Sequence, residues 1–175
     1  ERDHARSTWR QSLDALHELV DRGNSASEWG GTIPVVARAL LPRTAADLWP
    51  MIATASGLAK WVANIEHFDA QTGGSFRFRS RYRGQDVIEQ GRVEEMVPDS
   101  RVRLSWEWIG EGWGTSTEVV FALEPEPSGT RILIAHSGFD RIVSEKSVEA
   151  RRNYAMAWPE VLGDLKRLMA PVAVR

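Results

Sequence analysis

A chain of 175 residues with a formal net charge of −2 is sized for one domain and lacks the broad basic field that holds nucleic-acid backbones. Cysteine is absent, which removes disulfide scaffolds, thiolate zinc sites and cysteine nucleophiles. No apolar run approaches the ~18–20 residues of a membrane span, and the N-terminus shows no charged-then-apolar leader, so the sequence reads as a soluble, cytoplasmic protein without a membrane partner.

The chain begins at Glu1 rather than Met, so further sequence upstream is expected. Between Ala5 and Val20, Trp9, Leu13, Leu16 and Val20 recur at spacings of four, three and four, which puts them on one helical face. Gly23-Asn24 stops that helix and a small, polar stretch to Gly31 follows. Residues 1–30 are therefore expected to form an amphipathic arm and linker, docked on the domain at 31–170 or on a second copy as a homodimer.

Ile33 to Leu41 is an apolar strand ended by Pro42. Thr44 caps a helix through Ala53 with Leu48, Trp49 and Ile52 on its buried side, and Ser56 caps a second short helix through Val62 that carries Leu58 and Trp61. Ser75 to Arg83 alternates without a fault: Phe76, Phe78, Ser80 and Tyr82 share one face, Arg77, Arg79, Arg81 and Arg83 the other. Asp86 to Met96 is a less regular strand. Pro98-Asp99-Ser100 then turns into Val102, Leu104, Trp106 and Trp108 on one face, and Gly110, Gly112 and Gly114 punctuate the loop that follows. Thr117, Val119, Phe121 and Leu123 continue the alternation, Pro125 to Gly129 turns, and Ile132, Ile134 and His136 share a face, so His136 points the way of the apolar interior. A helix from about Glu145 to Met169 closes the chain, with Val148, Ala155, Trp158, Leu162, Leu165 and Met169 as its inward stripe and a kink expected at Pro159. A strand, a helix pair, many strands and a long helix make an α+β order that disfavours a parallel sheet.

The candidate ligand-binding residues are the inward aromatics Trp49, Trp61, Phe76, Phe78, Tyr82, Trp106, Trp108, Phe139, Tyr154 and Trp158, together with Trp113 in the glycine loop. Large aromatics also dominate ordinary cores, so each is equally readable as packing. For the group, a helix crossing a curved sheet leaves room for a cavity of ~300–1,000 Å³. His136 is a candidate polar anchor or catalytic acid or base, and a histidine satisfied by one hydrogen bond is the structural alternative. His67 lies in another strand region and no metal-ligand spacing or cofactor motif accompanies either histidine, so neither metal nor cofactor is expected. Basic residues are nearly all arginine, with lysine only at Lys60, Lys146 and Lys166, which suggests a GC-rich bacterial source. The arginine row at Arg77 to Arg83 reads as a solvated face with Glu89, Glu94 or Glu95 as cross-strand partners, because the aromatics that would stack on single-stranded nucleic acid point the other way.

The segments Thr44-Ala-Ala-Asp-Leu-Trp49 with Lys60-Trp61, Gly73-Gly-Ser-Phe-Arg-Phe78, Gly91-Arg-Val-Glu-Glu-Met-Val-Pro98, Leu104-Ser-Trp106, Thr130 to Phe139 and Trp158-Pro-Glu-Val-Leu162, taken in order, resemble the activator-of-heat-shock-protein-90-ATPase homologue family of the START/SRPBCC superfamily. That resemblance implies a helix-grip fold: a curved antiparallel sheet wrapped around a long C-terminal helix, with two short helices after the first strand. It also implies binding of a small hydrophobic, aromatic or polyketide-like molecule. Residues 1–30 lie outside the family pattern, and Ala157 stands where many relatives carry glycine. A subset of the superfamily that protects enediyne producers is similar in Trp106 to Gly114, in His136-Ser-Gly-Phe-Asp-Arg141 and in Arg152-Asn153 ahead of Trp158-Pro159. By that similarity Gly110, Gly112 and Gly114 become candidate sacrificial positions, whose α-carbon can lose a hydrogen to a bound antibiotic. Alternative readings are a cyclase, aromatase or hydrolase using His136, and a chaperone co-factor or protein-interaction module acting through residues 1–30.

Overall fold

A computed structural model describes residues 34–143 and 145–170, and the expected arm at 1–30 lies outside them. Alternation becomes one antiparallel sheet: strands β1 (Val35–Leu41), β2 (Asn64–Phe68), β3 (Ser75–Tyr82), β4 (Gln85–Val97), β5 (Arg101–Ile109), β6 (Thr117–Glu126) and β7 (Gly129–Ser137) lie in the order β1-β7-β6-β5-β4-β3-β2. Helices α1 (Ala45–Ala53) and α2 (Ala55–Leu58) follow β1, and α3 (Glu145–Leu168) closes the fold after a 3₁₀ turn at Phe139–Arg141. The curved sheet and the long helix give the helix-grip architecture expected from the order of elements. Register shifts at Ile65/His67 and at Val93/Glu95 mark bulges, which bend strands and raise their twist.

Local chemistry sets the element ends. Thr44 accepts from the backbone N–H of Asp47 at 3.1 Å while the Asp47 carboxylate accepts from the N–H of Thr44, a complete capping box. The second helix departs from expectation: Thr54, not Ser56, caps it by accepting from Gly57 N–H at 3.0 Å, and it ends at Leu58. Two of the residues expected on the inward stripe of α3, Val148 and Ala155, are exposed; the stripe is Ser147, Ala150, Tyr154, Trp158, Leu162 and Leu165. The helix runs unbroken through Pro159.

The core fills the concave side. Leu48, Ile52 and Leu58 from the short helices and Trp61 just after them share one buried cluster with Phe121, Trp61 standing edge-on to Phe121 at 5.7 Å and donating its indole N–H to the carbonyl of Met51 at 2.9 Å. Burial of one such large apolar side chain stabilises by ~1.5–3 kcal/mol. A smaller cluster, Val120, Ala122, Leu133 and Ala135 with Val36 against it, is buried on the opposite face of β1, β7 and β6.

On the arginine row, Glu66 of β2 is the main partner, accepting from Arg77 at 3.0 Å and from Arg79 at 2.7 Å. Glu95 is held by Arg101 instead, at 2.7 and 2.8 Å. Glu89 is no surface partner at all, because it stands opposite Phe78 and shares its inward face.

Candidate functional site

Two hydrogen-bond runs cross the space between β5–β7 and α3, and both touch Trp106. In the first, Trp158 donates its indole N–H to Nδ1 of His136 at 3.1 Å, and Nε2 of His136 lies 2.7 Å from Oγ1 of Thr117, which reaches the Trp106 carbonyl at 2.9 Å. An indole nitrogen only donates, so Nδ1 must accept and Nε2 must carry the proton. The Thr117 hydroxyl accepts the hydrogen bond from that N–H and donates its own hydrogen to the carbonyl. His136 is fully buried, and desolvation holds its pKa well below the ordinary 6.5, so the ring is neutral.

In the second run the Trp106 indole donates to the Tyr154 hydroxyl at 2.9 Å, Tyr154 donates to Glu89 at 2.7 Å, and Ser80 donates to the other Glu89 oxygen at 2.6 Å. Burial raises the pKa of Glu89, and these two donors only partly oppose it. Burial and the neighbouring Glu89 charge push the Tyr154 phenol well above its usual value. Tyr154 and Trp158, one helical turn apart, stack at 5.7 Å, and Trp106 meets Trp158 edge-on at 5.6 Å.

Beside these runs lie two clefts. The helix cleft, about 360 Å³, lies between β3–β5 and α3 and is lined by Trp106, Trp108, Tyr154, Trp158, Glu89 and Ser80 among others. The loop cleft, about 450 Å³, lies under the Gly110–Gly114 segment and includes Trp108, Gly110, Glu111, Trp113 and Lys146. Tyr82 and Asn153 border both, joined by a hydrogen bond of 2.7 Å from the phenol to the amide oxygen, with Trp108 edge-on to Tyr82 at 5.2 Å. That bridge is a partition between the clefts.

Of the residues singled out in the sequence, Tyr82, Trp106, Trp108, Trp113, Tyr154 and Trp158 line a cleft. Trp106, Trp113, Tyr154 and Trp158 belong at the same time to the buried core, Trp61, Phe76, Phe78 and Phe139 are core without bordering a cleft, and Trp49 is half-buried against it. His136 lies behind the cleft wall with both ring nitrogens engaged. Gly110, Gly112 and Gly114 are exposed with φ of 88°, 65° and 66°, a loop pinned by buried Trp113 and by Lys146, which donates to the Glu111 carbonyl. Only Gly110 borders a cleft. Ser80, Glu89 and Asn153 were not singled out as site residues. The inward place of Glu89 follows from the Arg83-Gly84 turn: both residues have positive φ, 49° and 79°, as a two-residue type I′ hairpin requires, and that turn fixes the Phe78–Glu89 pairing. Among the described residues no cluster of metal-ligating side chains occurs and no helix is long and apolar enough to cross a membrane.

The fold and its clefted interface between sheet and helix define a helix-grip protein. Residues 42–170 match the model of the Activator of Hsp90 ATPase homolog 1-like protein family, and the chain belongs to that family. Protein CV1439 from Chromobacterium violaceum is similar in structure, with a TM-score of 0.67 and 21% identity over 79% of this chain and 98% of that one. DynU16, a putative protein in the dynemicin biosynthetic locus, is similar with a TM-score of 0.62 and 18% identity over 77% of this chain and 46% of its own. The Aha1 dimer from Colwellia psychrerythraea gives a TM-score of 0.58 and 20% identity over 79% of this chain and 96% of that one. No functionally curated protein matches the chain.

Proposed function

We propose that this protein binds a small hydrophobic molecule, aromatic or polyketide-like, in the helix cleft, and that it acts in the cytoplasm as a binding protein rather than an enzyme. The observation that carries this reading is the lining of that cleft: Trp106, Trp108, Tyr154 and Trp158 surround about 360 Å³, with Glu89 and Ser80 as sparse polar points. Apolar walls with a few placed polar groups are the usual make-up of a ligand site. An enzymatic role for His136 has less support, since both ring nitrogens are already bonded inside the protein. Titration with a panel of polyketide-like aromatics, followed by tryptophan emission, is expected to show saturable quenching that Trp108→Ala weakens about tenfold. A panel that leaves the emission unchanged, with a crystal structure from the same mixture showing no guest, removes the reading.

A second reading, self-resistance to an antibiotic by sequestration or glycine sacrifice, draws on Gly110 at the edge of the loop cleft and on the likeness to DynU16 from an antibiotic locus. Incubation with an activated enediyne would then cut the backbone within 110–114, which intact-mass spectrometry detects; cuts spread over the chain would count against it. Association of two copies through the amphipathic segment at residues 5–20 belongs to the same proposal. Light scattering of the full chain against a chain lacking residues 1–30 tests it, a dimer becoming a monomer being the expected result.

A further inference from the structure

We propose that the helix cleft is built for a ligand carrying a positively charged nitrogen, recognised jointly by the Glu89 carboxylate and the indole and phenol rings around it. This rests on the reading of that cleft as a small-molecule site and names the chemistry of its guest.

Glu89 is 7% exposed, yet it lies on a face otherwise given to Phe78, Trp106 and Trp108. Its two oxygens are held by neutral hydroxyls, Ser80 and Tyr154, and among the described residues no arginine or lysine is ion-paired with it. A carboxylate taken out of water without a counter-charge is costly, and an uncharged side chain of the same size would fill the place at lower cost. The missing charge can come from a guest, because Glu89 borders the cleft itself. The same cleft is walled by Trp106, Trp108, Tyr154, Trp158 and Tyr82. Ring faces attract a cation through their quadrupole, more strongly when water is excluded. A carboxylate at the floor with aromatic walls is thus complementary to an ammonium group.

The charged groups at the mouth do not cancel this arrangement. Arg79 and Arg81 border the cleft from the solvent face of β3, where Arg79 is drawn off by Glu66 and Asp86, and Arg81 donates to the Gly84 carbonyl at 3.2 Å. Glu160 on α3 adds a negative charge at the rim. The groups facing Glu89 are Ser80 from β3, Trp108 from β5 and Tyr154 from α3, and of these only Tyr154 titrates, with its phenol held protonated far above neutrality. Glu89 itself is raised by burial, so a fixed cation draws it into the ionised form and releases a proton.

Benzyltrimethylammonium and its uncharged carbon isostere neopentylbenzene have the same shape and differ in charge alone, which makes them the probes. Measured by tryptophan quenching and calorimetry on the full chain, the cation is expected to bind at least tenfold more tightly. Its affinity should rise with pH while that of the isostere stays level, and Glu89→Gln should abolish the preference. Ser80→Ala, which removes one donor from the carboxylate, should move the pH dependence upward and serves where Glu89→Gln fails to fold. Equal or tighter binding of the isostere overturns the proposal, as does a preference that survives Glu89→Gln. Binding of polyketide-like aromatics without binding of the cation overturns it and leaves the proposed function standing. No binding by any probe overturns both.

Discussion

His136 and Glu89 are buried titratable residues with opposite consequences for stability. The folded pKa of His136 is depressed below 6.5, so the stability gained from the neutral ring is complete above that value and drains as pH falls toward the folded pKa. Glu89 is raised above 4.5, so its contribution is complete below that value and is lost as pH rises through the folded pKa. Glu89→Gln is accordingly expected to melt higher than the parent at pH 8 and close to it at pH 5, by thermal denaturation followed in the far ultraviolet. A parent that keeps the advantage at pH 8 would contradict the burial argument. Trp158→Phe leaves Nδ1 of His136 without its donor, a loss of ~1–3 kcal/mol in urea unfolding. At this scale the sequence disclosed His136 but hid Glu89: alternation shows which face a residue takes only after register is fixed, and the Arg83-Gly84 turn that fixes it carries no Asn-Gly or Asp-Gly signature.

Among the elements, the strands were more legible than the helix faces. Phe76, Phe78, Trp106, Phe121, Ile134 and His136 all point inward as their period of two requires. On α3 the reading placed Val148 and Ala155 on the buried stripe, whereas burial falls on Ser147, Ala150 and Tyr154. Small and polar residues carry no hydrophobic signal, so a stripe built partly from them is shifted when apolar side chains alone are followed. The α2 cap was ambiguous for a related reason, since Thr54 and Ser56 are both good caps and lie two residues apart. Gly91 in β4 gives a sharper test of packing: an added Cβ would lie 1.9 Å from the Ser105 carbonyl oxygen. Gly91→Ala should therefore destabilise by ~1–3 kcal/mol, the range of overpacked sites. A change under half that in chemical denaturation would mean that β4 and β5 separate easily. Thr44→Ala, which breaks the capping box of α1, should cost ~1 kcal/mol by the same measurement.

For the molecule as a whole, the helix-grip order and room between helix and sheet were expected from the chain, and which side chains border that room could not be read. Periodicity assigned Phe78 and Trp106 to one interior, and both are core, but only the standoff of α3 decides that Trp106 also borders a cleft. The Tyr82–Asn153 bridge subdivides that standoff. Asn153→Ala removes the bridge and is expected to join the two clefts, so that a polycyclic aromatic too bulky for about 360 Å³ binds several-fold more tightly. Unchanged affinity in a fluorescence titration would show that the phenol is not a partition.

The two runs that meet at Trp106 also order their hydrogens head to tail: Trp158 to His136 to Thr117, and Trp106 to Tyr154 to Glu89. Because an indole nitrogen can only donate, the direction of each run is fixed at its first link. In heavy water the two indole hydrogens should therefore survive together and vanish together, clocking the rare moments when the closing helix lifts from the sheet.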